Sequence, residues 1–233
     1  MTAFLALSQR AAIESGSVST TGTPASVTGQ TQLILIKIIN WVIQAYNDIQ
    51  NMHGEWLWLE GTKEFDTTAN ADCYAIASIF TASDRFAEYL IRDLEEVTMY
   101  LTATGVSDEG KIEHIPYWLW KQRYDRGTQT ANRPIEWSIS PANELCLGPK
   151  PDDAYTVRLP YRKGPQTLAA NDDIPEMPAR FHDMIWRGAL MLGHGHLESQ
   201  FLMAHHEGEY LKMLESLERD QLPRMEFKPE PLA

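Results

Sequence analysis

One stretch constrains this chain more than any other. In residues 133–189, RPIEWSISPANELCLGPKPDDAYTVRLPYRKGPQTLAANDDIPEMPARFHDMIWRGA, the hydrophobic period changes from two to helical. Ile135, Trp137 and Ile139 alternate with Glu136, Ser138 and Ser140, as a half-buried strand requires. Pro141-Ala142-Asn143 turns the chain, and Leu145 and Leu147 resume the alternation. Residues 149–153 are a second turn signal, and Tyr155, Val157 and Leu159 mark a third strand. Past Gly164-Pro165 and Asn171-Asp172-Asp173, the residues Phe181, Met184, Ile185, Gly188 and Leu192 fall on one helical face. A small antiparallel meander that feeds directly into a helix makes the chain α+β.

Elsewhere the pattern is mainly helical at both ends and irregular between. Phe4, Leu7, Ala11 and Ala12 recur at helical spacing in residues 3–13, a helix too short to persist in water without a surface to dock on. Residues 15–29, SGSVSTTGTPASVTG, carry almost no large apolar group and predict a flexible or extended arm. Such an arm either reaches a neighbouring subunit or lies along its own. Residues 31–51 are the strongest helix. Leu33, Ile36, Ile39, Ile43, Tyr46 and Ile49 trace one stripe, and Ile34, Ile38, Trp41, Val42 and Ala45 broaden it. A stripe that wide implies burial on two sides, against the core and against another subunit, with Ile34, Ile38, Trp41 and Val42 as the inter-subunit candidates. Thr28 or Thr31 is its candidate cap.

Trp56-Leu57-Trp58-Leu59 is an aromatic cluster. Residues 63–65 and 73–76 are short strand candidates on either side of a polar turn. Residues 84–100 fit a helix through Phe86, Tyr89, Leu90, Asp93 and Leu94, or end in a strand through Val97, Met99 and Leu101. Pro116 suits the first turn of a short aromatic-rich helix over 115–124. A helix after Pro178 runs to about His196. Residues 201–219 form another, with Met203, Tyr210, Leu214 and Leu217 on one face and Pro223 to end it. Residues 222–233, with three prolines, read as an extended tail.

Charge and motifs narrow the function. A formal net charge of −12 argues against a free-standing nucleic-acid binder, although an acidic wall is one that DNA passes without sticking. Cys73 and Cys146 lie far apart and form no CxxC pair, so neither a disulfide framework nor a zinc site is expected, and a reducing cytosol is compatible. Residues 1–7 have no basic region before an apolar run. The longest apolar segment, 33–39, is broken by Lys37 and too short to span a bilayer, so a soluble protein made inside the cell, with no membrane partner, is expected. His194, His196, His205 and His206 invite a metal reading. The H-E-x-x-H motif fails, because Tyr210 stands where the second histidine belongs, and His194 and His196 share no helix face. Surface or inter-subunit histidines are expected instead, with no metal and no cofactor. Asp152-Asp153 and Asp172-Asp173 each sit in a turn signal, which accounts for them. Dinucleotide, P-loop, nucleophile-elbow and Cys–His signatures are absent, so no enzyme is expected. The seven tryptophans are read as core and interface anchors.

Three segments resemble the head-to-tail adaptor (connector) proteins of tailed bacteriophages, particularly those of short-tailed phages. Residues 41–58, WVIQAYNDIQNMHGEWLW, are similar to that family's Ala-aromatic-x-x-Ile-Gln helix followed by tryptophans. Residues 133–161 are similar to its Arg-Pro…Trp…Pro…Leu-x-Leu-x-Pro-x-Pro-Asp…Tyr run. Residues 173–189 are similar to its Pro-x-x-Pro-x-x-Phe-His helix start. The resemblance implies a discontinuous helical core from residues 30–60 with 175–222, and a β-rich antiparallel insertion over 61–174. A short helix and arm at 1–29 and a tail at 223–233 flank these. It further implies a homo-oligomeric ring, usually a dodecamer, docked beneath the portal protein at the head–tail junction of the virion. Such a ring extends the channel through which genomic DNA passes and offers a platform to tail, fibre or nozzle proteins. In that family the C-terminal segment extends towards the portal, which implies portal contacts for Leu222, Pro223, Met225, Phe227, Pro229 and Leu232. The family has no catalytic residues to carry over. A tail-completion or fibre-docking protein, and a metal-dependent hydrolase built on residues 194–206, are the competing readings.

Overall fold

The computed structural model describes residues 2–19, 21–91, 97–196 and 199–223. Along the chain lie α1 (Phe4–Glu14), α2 (Leu33–Met52), β1 (Glu60–Asp66), β2 (Cys73–Tyr74), the one-turn α3 (Ile76–Ile79), β3 (Phe86–Tyr89) and β4 (Thr98–Leu101). There follow β5 (Gly110–Lys111), β6 (Glu113–His114), α4 (Tyr117–Tyr124), β7 (Glu136–Ile139), β8 (Leu145–Gly148), β9 (Tyr155–Lys163), α5 (His182–His196) and α6 (Gln200–Gln221). The fold is α+β. It divides into two compact units, Met1–Leu59 with Pro165–Ala233, and Glu60–Gly164.

The first unit is helical because α1, α2, α5 and α6 each carry an apolar stripe, and these stripes cover one another. α2 buries Leu35, Ile38, Ile39, Val42, Ala45, Tyr46 and Ile49, and each large side chain contributes about 1.5–3 kcal/mol on leaving water. This stripe is rotated from the expected one: Leu33 is exposed, and Ile36 and Ile43 are only partly covered. Neither Thr28 nor Thr31 caps the helix, whose start at Gln32 has no side-chain cap. α1 docks through Phe4, Leu7, Ala11 and Ala12, all buried. Its first amides donate to the returning loop, Phe4 N–H to Asp173 O at 2.8 Å and Leu5 N–H to Asn171 O at 3.1 Å. The arm after α1 lies along its own chain. Gln9 Nε2 donates to Pro24 O at 2.9 Å, Val27 N–H to Asn171 Oδ1 at 2.7 Å, and Val18 and Val27 pack on the core.

The returning loop is tied to α2 by amides. Gln166 N–H donates to Gln50 Oε1 at 2.7 Å, and Gln50 Nε2 donates to Gln166 O at 3.0 Å. Tyr46 hydroxyl donates to Gln166 Oε1 at 2.8 Å and accepts from Glu176 N–H at 3.0 Å. Asp173 accepts from Ala169 and Ala170 N–H at 2.6 and 2.8 Å, and these bonds hold its carboxyl below the usual range. α5 then approaches α2 closely: a Cβ on Gly193 would lie 2.9 Å from a Trp41 ring carbon, and one on Gly188 would lie 3.1 Å from Ala45 Cβ.

In the second unit β9, the longest strand, organises the larger sheet. β1 pairs with it from Glu60↔Arg162 to Asp66↔Thr156. On its other side β4 takes one half (Thr98↔Arg158 to Leu101↔Tyr155), β3 takes the other (Tyr89↔Tyr161), and β5 adds beyond β4. The smaller sheet runs β2-β8-β7-β6, and its β6–β7 pair is parallel, so the pairing is mixed rather than antiparallel throughout. Met99, Val157 and Leu159 of one sheet and Trp137, Leu145 and Leu147 of the other share one core. α4 covers the outer side of the smaller sheet, with Ile115, Trp120 and Cys146 buried there together.

Because the smaller sheet is covered on both sides, the alternation in β7 does not sort inside from outside. Ile135 is exposed, whereas Glu136 and Ser138 are buried. Glu136 is accommodated because α4 brings it the Arg123 guanidinium, and the Tyr124 hydroxyl donates to its Oε2 at 2.8 Å. Burial, then that bond to Glu136, pushes the Tyr124 phenol up to about 12. The strand candidate at 73–76 shortens to β2, since Ile76 opens α3. The ambiguous 84–100 stretch contains β3 and β4, while residues 92–96 lie outside the described residues. The acid pair at 152–153 sits in the turn: Asp153 Oδ1 accepts from Ala154 N–H at 2.7 Å, and Asp152 Oδ1 from the Tyr155 hydroxyl at 2.8 Å.

The cysteine expectation is corrected. Cys73 of β2 and Cys146 of β8 are directly paired in register and joined in a disulfide, with Cα atoms 4.0 Å apart. Nothing in their spacing shows this, because 73 residues separate them and only the sheet brings them opposite. β2 is two residues long and pairs only with β8 among the described strands, so the bond staples a short edge. Closing a loop of that length restricts the unfolded chain. Cys73→Ser with Cys146→Ser should therefore lower the stability of residues 60–164 by about 2–4 kcal/mol, read as a lower urea midpoint. A midpoint equal to that of the oxidised protein would count against the staple.

Candidate functional site

The helical unit presents its apolar surface around α6. The amphipathic pattern of that helix points Tyr210 and Leu217 into the core and leaves Phe201, Leu202 and Leu211 exposed, Phe201 at 84%. Beside them Ala45 and Met52 of α2, Gly188, Met191 and Leu192 of α5, and Met203 and Tyr210 of α6 line a groove of about 280 Å³, with Asp48 as its one acid. Methionines make such a surface adaptable, because the unbranched thioether fits several shapes. Towards the end of α6, Arg180, Lys212 and Arg219 surround Phe181 and Met213 in a second groove of about 450 Å³. Arg180 pairs with Asp220 there, and its guanidinium lies 4.8 Å from the Phe181 ring centre. The spacing sets Leu211 beside the Met203–Tyr210–Leu214–Leu217 stripe, yet it is exposed, and the exposure of Phe201 was not foreseen.

The second unit offers a charged sheet face. Arg158 is bracketed by Glu64 at 2.6 Å and Glu109 at 3.2 Å, and Arg162 pairs with Glu88 at 2.7 Å. On the opposite face of β1, Lys63 pairs with Asp84 at 2.6 Å. The Thr98 hydroxyl, then Arg158, hold the Glu109 carboxyl below its usual range, and the Lys63 ammonium takes Asp84 down to about 2. An open cleft of about 680 Å³ crosses this face, where Glu60, Glu64 and Glu109 outnumber Arg158. Phosphates meet net repulsion there.

His194 and His206 are buried between α5 and α6, not at the surface as expected, because the two helices fold back on each other and face these rings inward. Among the described residues, no group of three or more His, Cys, Asp or Glu side chains is placed to hold a metal ion. Among them too, no helix is long and apolar enough to cross a membrane. A model of the SU10 adaptor protein family matches residues 2–228. The chain belongs to the SU10 adaptor protein family. No curated protein matches it.

Membership makes this SU10 adaptor a bacteriophage structural component and implies a place in the neck of the virion. Of its expected docking residues, Ile34, Ile38, Trp41, Val42, Leu222 and Pro223 are among those described. Ile34 and Trp41 are partly buried and pack against the helical core. Ile38 and Val42, at 1% and 0% exposure, are taken up by the adaptor's own core, since α1 and α5 pack against that side of α2. Leu222 packs on the core, and Pro223 is exposed. Met225, Phe227, Pro229 and Leu232 lie outside the described residues.

Proposed function

We propose that this SU10 adaptor assembles as a homo-oligomeric ring, a dodecamer, beneath the portal protein. The ring extends the DNA channel and gives tail, fibre or nozzle proteins a platform, and the chain has no catalytic role. The observation that carries this reading is the family match, which takes in both units rather than one. The exposed apolar surface around α6, with Ile34 and Trp41, supplies lateral contacts of the kind that a ring subunit needs. The acidic sheet face suits a wall past which DNA slides, and the net charge of −12 per copy adds round a ring.

Portal docking is assigned to residues 222–233, which follow the C-terminal end of α6. Deleting residues 223–233 should leave the unfolding midpoint unchanged and weaken binding to the portal of the same phage by about tenfold or more, as loss of a few anchoring side chains does. Titration of labelled portal with each form reads the difference. Equal affinity of the two forms removes the portal role from Pro223, Met225, Phe227, Pro229 and Leu232.

A further inference from the structure

Where α1, α5 and α6 meet, two imidazoles are buried side by side. His194 on α5 is 4% exposed and His206 on α6 is 8% exposed. Their rings are parallel within 5°, with centres 5.4 Å apart. His194 Nε2 and His206 Nδ1 are shut off from solvent and have no hydrogen-bond partner among the described residues. The surroundings are cationic. The Trp186 ring meets His206 edge-on at 6.3 Å and carries two guanidinium groups, Arg187 at 4.6 Å and Arg10 at 5.0 Å. His205 lies 5.4 Å from His206. Among the described residues, the charged groups at this junction are Arg10 and Glu14 from α1, Arg187 from α5, and His205 and Glu209 from α6. Both acids already have cations, Glu14 with Arg10 at 4.0 Å and Glu209 with Lys212 at 2.9 Å.

We propose that the His194–His206 pair is a proton-operated latch, which closes α6 onto α5 when neutral and releases α6 when protonated. A proton on either ring would place a buried cation beside a second imidazole and near the Arg187 guanidinium, while among the described residues both carboxylates at the junction are already held by cations. Burial is the first cause that holds both imidazoles below their ordinary pKa, and at His206 the neighbouring His194, His205 and Arg187 add to it and outweigh the opposing pull of Glu14. Above about pH 6.5 the rings are neutral whether α6 is docked or free, and the pair contributes no pH dependence. As pH falls below that value the released state takes up protons first, so docking of α6 weakens progressively towards the depressed values of the closed state. The latch stands whether or not the adaptor docks on a portal.

Amide hydrogen exchange of the full chain at pH 7.5 and 5.5, corrected for intrinsic rates, tests it. Protection of α6 should fall by about tenfold or more on acidification, while β9 keeps its protection. His194→Gln with His206→Gln should abolish the difference between the two pH values for α6. A variant as acid-sensitive as the parent overturns the latch, and so does a parent whose α6 is indifferent to pH. Should the variant not fold, the imidazole resonances of the parent decide. Titration well below pH 6.5, in step with loss of α6 protection, supports the latch, and titration near 6.5 overturns it.

Discussion

Gly148→Ala should destabilise the strand-rich unit by about 3 kcal/mol, far beyond the usual effect of one added methyl group. The position ends β8 beneath α4. A Cβ there would lie 2.3 and 2.4 Å from two Tyr124 ring carbons and 3.0 Å from Trp120 Nε1. Ordinary contact begins about an ångström further out, so something must move. Tyr124 cannot swing aside freely, because its hydroxyl is bonded to Glu136, which also holds Arg123. Moving α4 outward would loosen Trp120 over Cys146 and leave the Glu136 carboxylate buried without its partners. Gly148→Ala with Tyr124→Ala should therefore lose less than the sum of the two single changes. Urea unfolding of the four proteins reads the coupling. A Gly148→Ala midpoint equal to that of the parent would mean that α4 does not rest where it is described.

The helical unit has its counterpart in Trp56→Ala, expected to lose about 3–5 kcal/mol. Trp56 is fully buried among the helices. Its indole N–H donates to Ile49 O at 2.9 Å, near the end of α2. The ring stacks on Trp58 at 4.5 Å and meets the His53 ring edge-on at 4.9 Å. Alanine would leave a cavity larger than the surroundings can close, and would strip an acceptor of its donor. Trp56→Phe keeps most of the volume and loses the N–H, so about 1–2 kcal/mol is expected. Far-UV circular dichroism during urea unfolding separates the two. A loss below about 1 kcal/mol for Trp56→Ala would show that this ring does not hold the end of α2.

How far the chain could be read depends on which interaction decides each element. α1 was legible to within one residue at each end, because one surface meets one stripe, and Phe4, Leu7, Ala11 and Ala12 belong to that stripe along with Ser8. β8 and β9 were legible from alternation and turn residues, which are local. Glu136 was not, because its burial depends on Arg123 and Tyr124, carried by a helix earlier in the chain. The disulfide was hidden for the same reason: strand register, not spacing, places Cys73 opposite Cys146. α2 was legible as a helix, but its wide apolar face left the buried side undetermined. Tertiary packing chose Ile38 and Val42 for the core and left Ile34 and Trp41 at its edge. Likewise the histidine spacing gave no sign of the buried pair, since His194 and His206 meet only when α5 and α6 fold against each other.

The proposed role of this SU10 adaptor, a ring subunit docked beneath a portal, is open to mass measurement of the protein alone and mixed with the portal ring of its own phage. A monomer or weak oligomer is expected alone, and a discrete complex with one copy per portal subunit when the two are mixed. A protein that stays monomeric in the presence of that portal would contradict it.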